Sequence, residues 1–299
     1  MVTKEEPKEE PKGEPKAEPP VKMAINRRAT YIFIILHIAA FYGAYYWYIS
    51  PHFWRLALEL VVLYFFTGMF GITAGAHRLW SHKSYKAKLP SRILMMLANS
   101  MANQKCIYKW VQIHRTHHAY ADTPDDPHDI NRGFWYAHMG WLLLKTPPNV
   151  KAKLKACPLR DLERDPVVMF QYKMDPWLNF FMCFVVPTLY AWYIYNNAFL
   201  GFIVLGVMRW IFILHITWTI NSVAHTFGTK TYNPNIRACN SLIESIISAG
   251  EGSHNFHHQY PWDYRTSGNI IDWNPTKYFI DFLYLIGQAS DLKTYSVSM

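Results

Sequence analysis

Four apolar runs of near-equal length constrain this chain more than any other feature. They cover about residues 30–49, 56–76, 177–195 and 199–223. Each approaches the roughly 20 residues that a helix needs to cross a bilayer. The connections within each pair are short: SPHFWR between the first two runs and NNAF between the last two. The runs therefore pair as two helical hairpins, and they predict an all-α integral membrane protein with four transmembrane helices. A mean hydropathy of -0.06 does not oppose this, because strongly polar loops offset the apolar runs. A weaker apolar stretch at 94–101 is too short to span and predicts a buried or interfacial helix.

Charge sets the expected orientation. The loop 78–175 carries Lys83, Lys86, Lys88, Lys105, Lys109, Lys145, Lys151, Lys153 and Lys155, whereas the hairpin loops carry Arg55 alone. Basic loops stay on the cytosolic side, so both termini are expected in the cytosol and the long loop forms a cytosolic cap. The formal net charge of +9 points to a polyanionic partner, either an anionic membrane face or a phosphorylated cofactor. No nucleic-acid recognition motif is present. Residues 1–25 are rich in Lys, Glu and Pro and lack the apolar core of a cleavable signal. They predict a disordered tail ahead of a membrane domain over 26–299. Cys106, Cys157, Cys183 and Cys239 form no CxxC pair and read as reduced thiols.

Against these spans, the histidines fall in a pattern. His77 and His82 lie where the second run ends. His114, His117 and His118 form one HxxHH cluster, and His254, His257 and His258 form another. Asn221 and His225 lie where the fourth run ends. All are expected at the cytosolic face. In HxxHH the three histidines share one helical face, as do Asn221 and His225. His77 and His82, five apart, would diverge on a regular helix, which predicts a distorted or ending helix there. Imidazole is a ligand for Zn, Cu, Fe and Ni. Nine histidines exceed the four ligands of a structural zinc site and suit two metal ions with about four or five ligands each. Redox-active iron is favoured over zinc, because the site sits at the mouth of an apolar membrane domain, where chemistry on an apolar substrate is wanted.

These boxes, with the stretches GITAGAHRLWSHKSYKAKLP, HRTHHAYADTPDDPHD, GWLLLK, NSVAH, GEGSHNFHHQYPWDY and FIDFLYLIGQASDLKT, resemble the integral-membrane acyl-CoA desaturases of animals, above all the insect branch. The resemblance extends over about residues 27–294. It implies two iron ions held by His77, His82, His114, His117, His118, His225, His254, His257 and His258, with Asn221 holding a metal-bound water. It also implies O2 as co-substrate and a long-chain fatty acyl-CoA as substrate, in the endoplasmic reticulum membrane. Electrons would come from cytochrome b5 and its NADH-dependent reductase. No HPGG motif of a fused cytochrome b5 occurs, so the resemblance implies a separate donor.

By the same resemblance Phe65 and Met69 fall at the methyl end of an acyl tunnel, where a bulky Met69 would favour chains of C16 or shorter. Gln104, Trp110 and Trp218 fall near the CoA or the thioester. Lys105, Lys109, Arg115 and Lys145 are candidate cations for the CoA phosphates. Two departures stand out: Gln112-Ile113 replaces an Arg-Asp pair before the second box, and the basic C-terminal tail expected beyond Met299 is missing. His128 and His138 are expected to give hydrogen-bond support to the site, and His37 and His52 to be unrelated to it. A fatty acyl hydroxylase, a conjugating desaturase and a catalytically silent metal-binding homologue are the alternatives on the same scaffold. A metal carrier is disfavoured, because its ligands would lie inside the spans.

Overall fold

The computed structural model describes residues 23–268 and 272–295. Most of the expected N-terminal tail, residues 1–22, lies outside the described residues. Its last part does not: the backbone N–H of Lys145 donates to Ala24 O at 2.8 Å and that of Asn26 to Leu143 O at 2.8 Å. Backbone groups of residues 24–26 are therefore satisfied by 143–145.

Four helices are long and apolar enough to cross a membrane: α1 Arg27–Tyr48, α2 Phe53–Ser81, α5 Trp177–Tyr195 and α6 Ala198–Ser222. Between them lie α3 Leu89–Ala102 and α4 Ile107–Tyr120. After them come α7 Leu242–Ile247, α8 His254–Gln259 and α9 Pro275–Leu285. Ile32, Ile35, Ile38 and Phe41 on α1 are 46–75% exposed, an apolar surface that water would not tolerate and lipid would. Among the described residues one sheet forms: it pairs β1 Lys86–Ala87 with β2 Ala289–Ser290, antiparallel, and draws the C-terminal segment onto the α2–α3 link.

The second span departs from expectation in length and pitch. It does not end near residue 76 but runs through His77 to Ser81, and from Phe65 onward it is a π-helix. The His82 N–H bonds to His77 O, five residues back, at 3.1 Å. A π turn closes at i+5 rather than i+4, so two histidines that would diverge on an α-helix lie one above the other, edge to face. Their ring centroids are 4.9 Å apart.

Close helix crossings fix where this distorted span sits. A Cβ on Gly71 would meet Ala98 C and Asn99 N at 2.5 Å, so only glycine lets α2 press against α3. The stretch 94–101, expected to be buried or interfacial, belongs to α3 and is mostly buried: Met95, Met96, Ala98 and Asn99 face the core, whereas Leu89, Ile93 and Leu94 of the same helix are exposed. Gly43 of α1 plays the same part against Ile203 O of α6, at 2.7 Å. Gly71→Leu is therefore expected to abolish the monodisperse peak in detergent size-exclusion chromatography. Gly68→Ala, whose nearest neighbour would be 3.7 Å away, should leave that peak intact.

Candidate metal centre

Four segments deliver the histidines. The end of α2 brings His77 and His82, α4 brings His114, His117 and His118 on one face, and α8 brings His254, His257 and His258. His225 follows the end of α6. These nine fall into two adjoining sets able to hold metal: His77, His82, His114, His118 and His257 in one, and His117, His225, His254 and His258 in the other. Within each set the ligand atoms all lie within 4.8 Å of one another.

The atoms that meet are the Nε2 nitrogens. His77 and His257 approach to 3.0 Å, His82 and His114 to 2.8 Å, and His257 and His118 to 3.0 Å. In the second set His254 Nε2 is 3.1 Å from those of His225 and His258. Metal–nitrogen bonds of about 2.1 Å at right angles separate two nitrogens by about 3.0 Å, so the spacing fits a shared cation.

The opposite ring nitrogens explain which atoms point inward. His117 Nδ1 donates to Asp126 at 2.9 Å and His225 Nδ1 to Asp122 at 3.0 Å. His77 Nδ1 lies 3.1 Å from Glu251 Oε2. A carboxylate behind Nδ1 fixes the tautomer, leaves a lone pair on Nε2 and raises its basicity. Converging lone pairs repel unless a cation lies between them.

Electrostatics agree with neutral imidazoles. Burial, followed by neighbouring charges that include other histidines, holds His82, His114, His118, His254, His257 and His258 well below the usual imidazole value. Burial lowers His225 too, against Asp122. For His117 burial also acts downward, but Asp126 outweighs it and the net direction is up. Burial would raise Asp126 and Glu251. His117 and, for Glu251, Arg78 then His77 outweigh it and bring each carboxyl down to about 2.

Two apolar cavities meet at this centre. The inner one runs between α2 and α6 along Tyr64, Gly68, Ile72, Ile216 and Ile220 to His77 and His254. The outer one is lined by Gln104, Lys105 and Trp218. Trp110, His114, Thr217 and Asn221 wall both. Trp110 stacks on His114 with centroids 4.8 Å apart, and Gln104 Nε2 donates to Thr217 Oγ1 at 2.8 Å.

Several expected contacts fall elsewhere. Phe65 and Met69 do not line the inner cavity; Tyr64 and Gly68 do, because the π pitch turns the neighbouring face inward. Lys109 is paired with Asp175 at 2.7 Å. Arg115 grips Asp161 at 2.6 and 2.9 Å and also donates to the carbonyls of Trp80, Ser81 and Pro158. These partners hold both cations in place as parts of the scaffold. Lys105 and Lys145 do line one opening, joined there by Lys151. Gln112 Nε2 donates to Leu154 O at 2.9 Å, and Ile113 lines the outer cavity. His128 packs edge-on against Trp141, with centroids 4.4 Å apart. His138 bonds Ser222 and His215 rather than any of the nine. His52 packs on Tyr195. Sequence alone did not single out Asp122, Asp126 and Glu251, although each lies within eight residues of a histidine box.

Fold and site together define a membrane protein built around a histidine-lined centre able to hold metal. The sequence matches the fatty acid desaturase family across residues 54–266. It is 45% identical over 276 residues to the Delta(9)-fatty-acid desaturase fat-7 of Caenorhabditis elegans, covering 92% of this chain and 81% of that protein. It is 43% identical to the acyl-CoA Delta-9 desaturase of Acheta domesticus, covering 94% and 78%. It is 41% identical to stearoyl-CoA desaturase 5 of Bos taurus, covering 89% and 79%. The chain belongs to the fatty acid desaturase family.

Two outcomes follow. Asp126→Asn leaves His117 without its anionic partner and is expected to weaken metal retention about 10- to 100-fold, measured as metal content after dialysis against a chelator. The depressed histidines are less basic folded than unfolded, so the unfolded chain binds more protons below about pH 6.5. Stability of the metal-stripped protein should therefore fall as pH drops from 7.5 to 5.5. A flat melting temperature across that range in differential scanning fluorimetry would contradict the assignment.

Proposed function

We propose that this protein is a fatty acyl-CoA desaturase that inserts a double bond into a long-chain acyl group. The carrying observation is the meeting of two cavities at Trp110, His114 and Asn221: an apolar channel passes directly beside the histidine centre. The nine histidines would hold two iron ions, with Asn221 placing a water. When bound, that pair supplies O2-dependent hydrogen abstraction from carbons that no base can deprotonate.

The residues of the chain do the rest. Lys105, Lys145 and Lys151 at the outer opening would neutralise the CoA phosphates. Gln104, Trp110 and Trp218 line the path from there to the centre. The acyl chain then runs between α2 and α6 and ends toward Tyr64. Apolar walls exclude water and hold two adjacent carbons beside the histidines. Overall, two C–H bonds are lost and one O2 becomes two waters, with two electrons and two protons from outside. Cytochrome b5 and its NADH-dependent reductase would supply the electrons, at the endoplasmic reticulum membrane with both termini in the cytosol.

Expression in desaturase-deficient yeast, with mass-spectrometric location of new double bonds, tests this reading. Growth without supplied unsaturated fatty acid and a mono-unsaturated product are expected; an oxygenated product in its place rejects desaturation. His118→Ala should abolish the product. The same assay tests the channel: a side chain at Gly68 intrudes on the inner cavity, so Gly68→Leu should shift products toward shorter chains, while Met69→Ala should not change their length.

A further inference from the structure

Glu244 is the one ionisable residue of α7, and it points inward. It is fully buried, and no ion pair among the described residues includes it. Its Oε1 lies 2.7 Å from Thr219 Oγ1 of α6, and its Oε2 is buried with no partner. Leu242, Ile243 and Ile246, on the other side of the same helix, are 54–73% exposed. This reverses the pattern of a surface helix in water. Two hydrogen bonds tie α7 to the membrane-crossing helices: the Thr219–Glu244 contact, and the Tyr64 hydroxyl of α2 donating to Ile247 O at 2.5 Å. An apolar outer face on a helix so fastened is placed to meet lipid.

Counting hydrogens assigns a proton to Glu244. Thr219 Oγ1 also lies 2.6 Å from Ile216 O. A hydroxyl has one hydrogen, and a carbonyl and a carboxylate only accept. Both contacts are satisfied when Glu244 is protonated: its O–H donates to Thr219 Oγ1, and the Thr219 hydroxyl donates to Ile216 O. An ionised Glu244 would compete with Ile216 O for that hydrogen and leave its Oε2 charged in an apolar slot. Burial, opposed by the Thr219 hydrogen bond, pushes the Glu244 carboxyl up to about 7. The other ionisable groups on this side are Tyr64 of α2 and, beyond it, Glu251, which is paired with Arg78. Neither supplies a positive charge to Glu244.

The helix sits where the inner cavity ends. Tyr64 and Ser248 line that cavity on either side of the Tyr64–Ile247 bond. The base of the α7 loop is fixed, with the Ser241 N–H donating to Gly252 O and the Gly250 N–H to Ser245 O, both at 2.8 Å. Loss of the Glu244 bond leaves Tyr64 as the remaining hydrogen bond from the spans to α7.

We propose that Glu244 is a specificity-determining latch: while it carries a proton, α7 closes the far end of the inner cavity, and when the proton leaves, α7 moves outward toward lipid and the cavity admits longer acyl chains. The proposal deepens the desaturase reading and rests on it for the identity of the chain. The direction with pH follows from burial. A carboxyl released to water returns toward its ordinary value of 4.5. Above that pH the open form binds fewer protons than the closed one, so raising the pH favours opening.

Hydrogen exchange read by mass spectrometry, on the full-length metal-loaded protein in nanodiscs, tests the latch without substrate. From pH 6 to 8.5 the protection factors of amides 242–248 are expected to fall about 10-fold in wild type. In Glu244→Gln, whose amide donates to Thr219 without titrating, they should stay level. Protection factors already remove the chemical pH dependence of exchange, so wild type alone decides if the variant does not fold. The same samples are titrated with C16 and C20 acyl-CoA without an electron donor. The preference for C20 should rise with pH by a similar factor in wild type and not in Glu244→Gln. Constant protection in wild type, or an equal fall in Glu244→Gln, overturns the latch, as does a C20 preference that ignores pH. Failure of wild type to bind either acyl-CoA fails the desaturase reading instead, and the exchange result still judges the latch.

Discussion

A fully buried arginine governs the geometry of the centre. Arg78, one residue after His77, reaches Glu251 at 2.8 and 3.1 Å, the carbonyls of Gly250 and Tyr264, and Asn274 Oδ1. Removing one partner of such a pair costs about 3–5 kcal/mol, because the other charge is left buried and alone. The pair therefore cannot loosen without local unfolding. It binds the end of α2 to the segment just before the third histidine box, and Glu251 also lies behind His77. One ion pair thus sets the relative positions of two histidine boxes that are more than 170 residues apart in sequence.

The second constraint is that the histidines are held against their own repulsion. Carboxylates behind His77, His117 and His225 turn the lone pairs of those rings inward. The buried surroundings keep most of the others neutral. Such an arrangement is under stress without a cation and relaxed with one, which couples metal binding to folding. The π-helical end of α2 belongs to the same logic. An α-helical end would separate His77 from His82, and the first set would lose a member.

The four spans, the hairpin pairing and the three histidine boxes were legible in the sequence, since hydropathy and local spacing encode them. The partition of nine histidines into sets of five and four was not, because it depends on how α4 and α8 cross. The switch of the inner cavity wall from Phe65 and Met69 to Tyr64 and Gly68 was equally hidden: a π turn shifts the face by about one residue, and no local pattern announces it. Lys109 and Arg115 looked like phosphate binders because their partners, Asp175 and Asp161, are about 46 to 66 residues away. A signal for Asp122, Asp126 and Glu251 did exist. Metal-bound histidines need acceptors behind them, and all three lie within eight residues of a histidine box.

The 14 histidines also show that one residue type can build two opposite environments. At the centre, Nε2 nitrogens converge in sets of five and four, an arrangement that a shared cation would satisfy. In a row formed by His37, His215 and His138 each nitrogen faces a single neighbour along an open line. There a head-to-tail alternation of donor and acceptor satisfies every contact, and a metal would have no third ligand. Convergence suits a shared cation, and linear order suits an alternation of ring hydrogens.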